Sequence, residues 1–396
     1  MNPEPPAASG AMAPGLHLIF VGAIEDQALF SCMFETWRGR GCSLEILSEM
    51  SERDYRNARG FLGRAWMRFR INIVFPLRVA LRVIRRRGAQ RRVLMLTSTP
   101  FTIPAVASLL KRRGDTLCQM LYDLYPDALV VAGKVGPGSL PAAVIGRIVA
   151  IGMRRCDVTV FPGERLRTYA DKTYGPCPRS VVIPIGTDVG ALRSDRTRPQ
   201  EGDRKVVYVG NFGHLHDYET LSEMLRSGLP AGVQIVFHAS GAGYERLKGA
   251  SNEWPEETRS RVVFAGSLPR LEWVRVMQEA DVGLVLFKGG AERAAFPSKT
   301  FSAMAAGQAI LAVAPASSDL ADVVRLNDCG WISEPGDTCS LRRHFEAIAA
   351  DRAGLTRKQE AAAEAARRDY DVARLAERWM ALFGNISSPE AATRSR

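Results

Sequence analysis

A chain of 396 residues with 46% hydrophobic and 24% charged content has the size of two globular domains, each able to bury its own core. Its formal net charge of +11 favours an anionic partner: nucleic acid, acidic lipid or a phosphorylated substrate. Seven cysteines without a Cys-x-x-Cys pair, and five histidines without metal-ligand spacing, argue against a disulfide framework or a zinc cage and fit a reducing cytosol.

Residues 1–15 are Pro/Ala-rich and, like 386–396, are expected to be disordered. The N-terminal stretch lacks the basic start and apolar centre of a signal peptide. No apolar run reaches the roughly 18 residues of a spanning helix. A first strand is predicted over 16–21, with Gly22 opening its turn, then a helix over 26–38 and a strand over 44–47. Gly22 either lets a ligand approach the backbone or simply makes a tight turn.

Residues 55–92 hold twelve arginines and no acidic residue. Leu62, Trp66, Phe69 and Ile73 share one helical face. Pro76 predicts the start of a new helix, with Leu77, Leu81 and Ile84 as its stripe and Arg78, Arg82 and Arg85 opposite. An aromatic face bordered by arginines is the pattern of a helix lying in a membrane interface; the alternative is a helix covering the sheet.

Strands at 93–96, 117–121, 158–161 and 181–184 then alternate with helices at 105–113, 139–154 and 164–174, the mark of a doubly wound parallel sheet. Ser98 and Thr99 lie at the carboxyl end of one strand, Asp123 just past another. A polar linker over 190–204 precedes a second round, with strands at 206–209, 233–237, 262–264, 282–287, 310–314 and 331–333 and closing helices at 355–368 and 372–383.

The organising stretch is Ala295-Phe296-Pro297-Ser298-Lys299-Thr300-Phe301-Ser302-Ala303-Met304-Ala305-Ala306-Gly307, between two buried strands. Ser298 reads as the N-cap of a helix closed by Gly307. Free N–H groups at such a start, with Lys299 beside them, suit a nucleotide diphosphate; a plain cap with a solvated lysine is the alternative. Ligands of such sheets bind beyond the carboxyl ends of the strands. The candidates there are Asn211, Gly213, His214, Gly243, Lys288, Glu292, Ser298, Lys299 and Ser302 in the second half, and Gly22, Ser98, Thr99 and Asp123 in the first.

Gly210-Asn211-Phe212-Gly213 follows a strand, and Pro297-Ser298-Lys299 with Met304-Ala305-Ala306-Gly307 comes about ninety residues later. With Tyr122-Asp123-Leu124-Tyr125-Pro126 and Ile183-Pro184-Ile185-Gly186-Thr187-Asp188 upstream, the chain resembles the large retaining family of bacterial GT-B glycosyltransferases that build exopolysaccharide and lipid-linked oligosaccharides. The resemblance runs from about residue 90 to the C-terminus. It implies two facing Rossmann-like domains: 16–189 on the acceptor side and 205–368 for the nucleotide sugar, joined by 190–204, with a terminal helix at 369–385 crossing back to the first. Metal-independent chemistry is what the resemblance implies, so neither cofactor nor metal is expected. His214 stands where many relatives have an arginine; it either helps bind the anion or is a solvent-facing turn residue. Retaining members commonly carry two glutamates eight positions apart; here those positions are Ala294 and Ser302, with Glu292 out of register. That departure puts retention of configuration in doubt.

The resemblance implies transfer of sugar from a nucleotide donor to a polyprenyl-diphosphate-linked saccharide. Asp123 would activate the acceptor hydroxyl, unless it only caps a turn, and Lys299 would stabilise the leaving diphosphate. Trp66, Phe69, Arg78, Arg82 and Arg85 would place the enzyme on an anionic membrane, peripheral on the cytoplasmic face. No recognition module for nucleic acid is present. A transferase with a small soluble acceptor and a catalytically silent GT-B scaffold are the alternatives.

Overall fold

The computed structural model of the chain describes residues 17–23, 28–51, 60–85, 91–112, 114–193 and 202–387. The expected disorder of 1–15 and most of that of 386–396, with most of the linker after residue 193, lie outside these residues; residues 386–387, expected in the disordered tail, instead end the last helix at Ser387.

The first sheet contains β1 (His17–Val21), β2 (Ser43–Leu47), β3 (Arg92–Thr97), β4 (Asp115–Met120), β5 (Val158–Phe161) and β6 (Ser180–Val182). All its pairings are parallel, in the order β2-β1-β3-β4-β5-β6. The second contains β7 (Arg204–Asn211), β8 (Val233–Ser240), β9 (Val262–Phe264), β10 (Val282–Leu286), β11 (Ala309–Val313) and β12 (Gly330–Ser333). It too is all parallel, ordered β12-β11-β10-β7-β8-β9. Two Rossmann-like domains, as expected, make up the molecule.

Parallel strands need crossover helices on both faces, so side chains of both parities are buried. On β1, Leu18 and Phe20 enter a core with Trp37 and Trp379, while Ile19 and Val21 face Phe75, Val79 and Val83. On β10, Leu284 and Leu286 join Tyr208 and Phe237, and Val285 joins Phe301 and Met304. The strand order reverses between β1 and β3 in the first sheet and between β7 and β10 in the second. A crevice opens at such switch points.

The last helix, Val372–Ser387, returns to the first domain. Its Leu375, Trp379 and Phe383 are buried against the first sheet's core, and Trp37 Nε1 donates to Ala376 O at 3.2 Å. Helices Val189–Leu192 and Thr338–Ala350 had no counterpart in the sequence reading. Pro76 does not begin a new helix. One rod runs through Gly60–Phe69, a π turn at Arg70–Val74 and Phe75–Arg85, and this wider turn sits where proline withholds its N–H from the ladder.

Candidate functional site

At the second switch point, one residue before β7 ends, Gly210 has a φ of +107° that disfavours a residue with a Cβ. The chain then doubles back: Phe212 N–H donates to Ser240 O and Gly243 N–H to Phe212 O, both at 2.8 Å. A Cβ on Gly243 would lie 2.7 Å from the Phe212 ring, so this glycine seats the turn through packing. Lys288 N–H donates to Leu215 O at 3.0 Å, tying the loop after β10 to the same turn. Asn211 and Gly213 border the cleft here.

Ser298 does not cap the helix Lys299–Ala305 with its side chain; its backbone is already helical, and Thr300 N–H bonds to Pro297 O instead. The Ser298 side chain is left exposed. Lys299 is not a solvated lysine. Its Nζ lies over the Tyr208 ring, 3.9 Å from the centroid, donates to Asn211 O at 3.0 Å and to the Tyr208 hydroxyl, and stands 3.2 Å from His216 Nε2. Burial lowers its pKa to about 7.

His214 lies at the exposed end of the turn, and its pKa is lowered by burial and by Lys134, Arg246 and Lys288. Cations from both domains thus converge on this rim, a field that attracts an anion. Lys288 also reaches Glu219 at 3.7 Å. Glu292 sits in a short turn packed on the first domain; one carboxylate oxygen faces Arg293 at 3.3 Å and the other is buried with no hydrogen-bond partner among the described residues. The two positions where relatives carry glutamate are occupied by contacts within the protein. Ala294 O accepts from Leu124 N–H at 2.6 Å, and Ser302 Oγ lies 3.2 Å from Thr187 Oγ1.

The first domain meets this loop directly, for Asp123 bridges Ala295 in antiparallel fashion. Ser98, buried just past β3, accepts the Asp123 N–H on its Oγ at 3.1 Å. Burial raises the Asp123 carboxyl to about 6. Thr99 O accepts from Thr97 Oγ1 at 3.0 Å. Gly22 has the Phe20 ring 2.8 Å from where its Cβ would stand. The structure therefore brings Asp123, Ser98 and the loop 288–299 together, while Gly22 and Thr99 line the neighbouring switch point.

The helix of residues 60–85 covers the sheet with one face and leaves an apolar row exposed on the other. Ile71, Phe75, Val79 and Val83 cover the sheet. Leu62, Trp66, Phe69, Ile73, Leu77, Leu81 and Ile84 all face solvent, from 43% to 81% exposed. The arginines differ from expectation: Arg78 pairs with Glu49 at 2.7 Å and Arg82 with Glu45 at 2.7 Å, while Arg70 joins Glu49 from the other side. Carboxylates on and just after β2 neutralise them, a pairing invisible from a segment devoid of acids. Arg85 is exposed.

Two residues escaped the sequence reading. His216 is one; its spacing from His214 was visible, its contact with Lys299 was not. Asp319 is the other: it accepts the Arg165 and Leu166 N–H groups, each at 2.9 Å, and so caps a first-domain helix. Only the three-dimensional approach of the domains shows it.

Residues 193–369 match the family described as glycosyl transferases group 1. The chain is similar to a probable glycosyltransferase of Pseudomonas aeruginosa, WbjE, at 23% identity over 240 residues, 58% of each chain; it thus spans less than two thirds of that relative. Its fold is similar to that of HepE from Anabaena, crystallised with UDP, with a TM-score of 0.67, 12% identity and coverage of 93% of this chain and 100% of that one. Sucrose-phosphate synthase from Thermosynechococcus elongatus is similar with a TM-score of 0.70 at 14% identity, covering 93% and 99%. The chain has the GT-B architecture, and its second half is similar to the glycosyl transferases group 1 family.

Proposed function

We propose that the protein transfers a sugar from a nucleotide-sugar donor to a lipid-linked saccharide, a polyprenyl-diphosphate acceptor used in building cell-surface polysaccharide. The observation that carries this reading is the second switch point, where the Gly210–Gly213 turn, Lys299 and a rim of cations converge opposite a first-domain carboxylate. In that arrangement the donor's diphosphate lies against the turn, Lys299 and the exposed backbone at Ser298, which meet the negative charge that grows as the glycosidic bond breaks. Asp123, with a pKa near the operating range, takes the proton of the acceptor hydroxyl. No metal is assigned to either step. HepE, similar in fold, was crystallised with UDP, which supports a nucleotide donor.

The lipid acceptor is supported by the exposed row from Leu62 to Ile84, since a contiguous apolar patch of this length marks an interaction surface. Among the described residues no helix is long and apolar enough to cross a membrane. We place the enzyme peripherally, on the cytoplasmic face of the cell membrane. Transfer of radiolabelled sugar from UDP- and GDP-sugars to a polyprenyl-diphosphate saccharide in liposomes tests this. Transfer to lipid supports it; transfer only to free sugars points to a soluble acceptor.

A second reading, a silent GT-B scaffold, is favoured by Ala294 and Ser302, which supply no carboxylate where relatives have two. Neither transfer nor donor hydrolysis with any nucleotide sugar would move it ahead.

A further inference from the structure

The contacts around Lys299 define its protonation state. Tyr208 Oη donates its one hydrogen to Asn211 O at 2.9 Å, so towards Lys299 it is an acceptor. Gly213 N–H donates to His216 Nδ1 at 3.1 Å, so the ring hydrogen of neutral His216 is on Nε2. That nitrogen lies 3.2 Å from Lys299 Nζ. Burial holds the His216 ring well below the ordinary imidazole range, so it stays neutral. A neutral amine has two hydrogens and one lone pair. Here the hydrogens go to Tyr208 Oη and Asn211 O, and the lone pair receives the His216 Nε2–H. An ammonium would turn its third N–H against another donor, and the other imidazole tautomer would set its Nδ1–H against the Gly213 N–H. Tyr208 and His216 are the titratable groups in contact with Nζ, and among the described residues no carboxylate pairs with it. Burial acts in the same direction on Lys299.

We infer that Lys299 rests as a neutral amine in the empty site, held by His216 as a positioning residue, and that it takes up a proton from solvent when a nucleoside diphosphate binds. The anion then faces an ammonium that did not exist before it arrived. This rests on the donor-site reading above and adds a proton linkage and a role for His216. The gain is discrimination: the full charge develops only against an anion able to stabilise it.

Calorimetric titration of UDP and GDP at pH 8.5, in buffers of different ionisation enthalpy, reads the linkage. A phosphate with its second pKa near 6 is fully ionised at that pH, so the ligand contributes no proton. Close to one proton should be absorbed per nucleotide by the native protein, and the uptake should shrink as pH falls through about 7, where Lys299 already carries its proton. Lys299→Met should abolish the uptake. His216→Gln, whose amide oxygen accepts from an ammonium, should reduce it while leaving nucleotide binding measurable. Nucleotide binding without buffer dependence overturns the inference and leaves the donor site standing; no binding of either nucleotide strikes the donor-site reading itself. Competitive acetylation of the unliganded protein needs no nucleotide: Lys299 should react as an amine titrating near neutrality, moving upward in His216→Gln. An ordinary lysine titration there overturns the inference directly.

Discussion

Asp319 Oδ2 accepts the backbone N–H of Leu166 at 2.9 Å, so a carboxylate of the second domain caps a helix of the first. Arg165 completes the contact, pairing through its side chain with Asp322 and through its N–H with Asp319 Oδ1 at 2.9 Å. The junction is close-fitting: a Cβ on Gly163 would stand 2.2 Å from the Asp319 carboxyl. An N-cap contributes about 1 kcal/mol to its helix, and here that energy is available only while the domains touch. Gly163→Ala and Asp319→Ala should therefore loosen domain closure, with a larger radius of gyration by small-angle scattering and little loss of helix content. Variants with native dimensions would show that closure does not depend on this cap.

Asp123 gives a pH dependence with a defined sign. Its folded pKa of about 6 lies above the ordinary value of 3.8 because burial disfavours the charge. As a base it must be ionised, so activity should fall as pH drops through 6. Its effect on stability runs the opposite way in pH: fully favourable below the unfolded value, lost as pH rises through 6. Asp123→Asn should lower kcat by on the order of a hundredfold or more and remove the acidic limb of the rate profile. A profile unchanged in the variant would release Asp123 from catalysis.

Vesicle binding should owe more to the apolar row than to the arginines. Arg78 and Arg82 spend much of their charge on Glu49 and Glu45, whereas Trp66 and Phe69, stacked with centroids 5.6 Å apart, stand in solvent. Salt screens exposed charges over about 10 Å at 0.1 M but leaves apolar burial intact. Flotation with acidic vesicles should persist at high salt and drop sharply in a Trp66→Ser, Phe69→Ser double variant, with Arg78→Ser milder. Loss of binding in salt alone would reverse that ranking.

Excess EDTA should leave transfer intact, because Lys299 and the backbone at Ser298 are assigned the charge that a cation would otherwise meet. Abolition by EDTA with rescue by manganese would contradict this assignment.

The order of strands and helices was legible because each buried strand in a parallel sheet reads as a short apolar run between turn residues. Leu284 and Val285 are buried on opposite faces, and both had to be apolar. The turn after β7 and the helix start after β10 were legible too, since Gly210 and the Pro297-Ser298-Lys299 element carry local signatures. What stayed hidden depends on partners distant in the chain. Lys299 reads as an exposed cation until β7 places Tyr208 beneath it. The arginine segment reads as unpaired until β2 places Glu45 beside Arg82, with Glu49 just beyond against Arg78. Ser298 reads as a cap until the backbone, already helical there, leaves its hydroxyl without that duty.

The central claim is that a nucleotide diphosphate binds at the second switch point against Lys299. Calorimetric titration of UDP and GDP into the native protein and into Lys299→Ala tests it most directly. At least one nucleotide should bind, and the variant should bind it about tenfold more weakly, a loss of about 1.4 kcal/mol from one charge-assisted contact. Equal affinity in a folded Lys299→Ala protein would contradict the account.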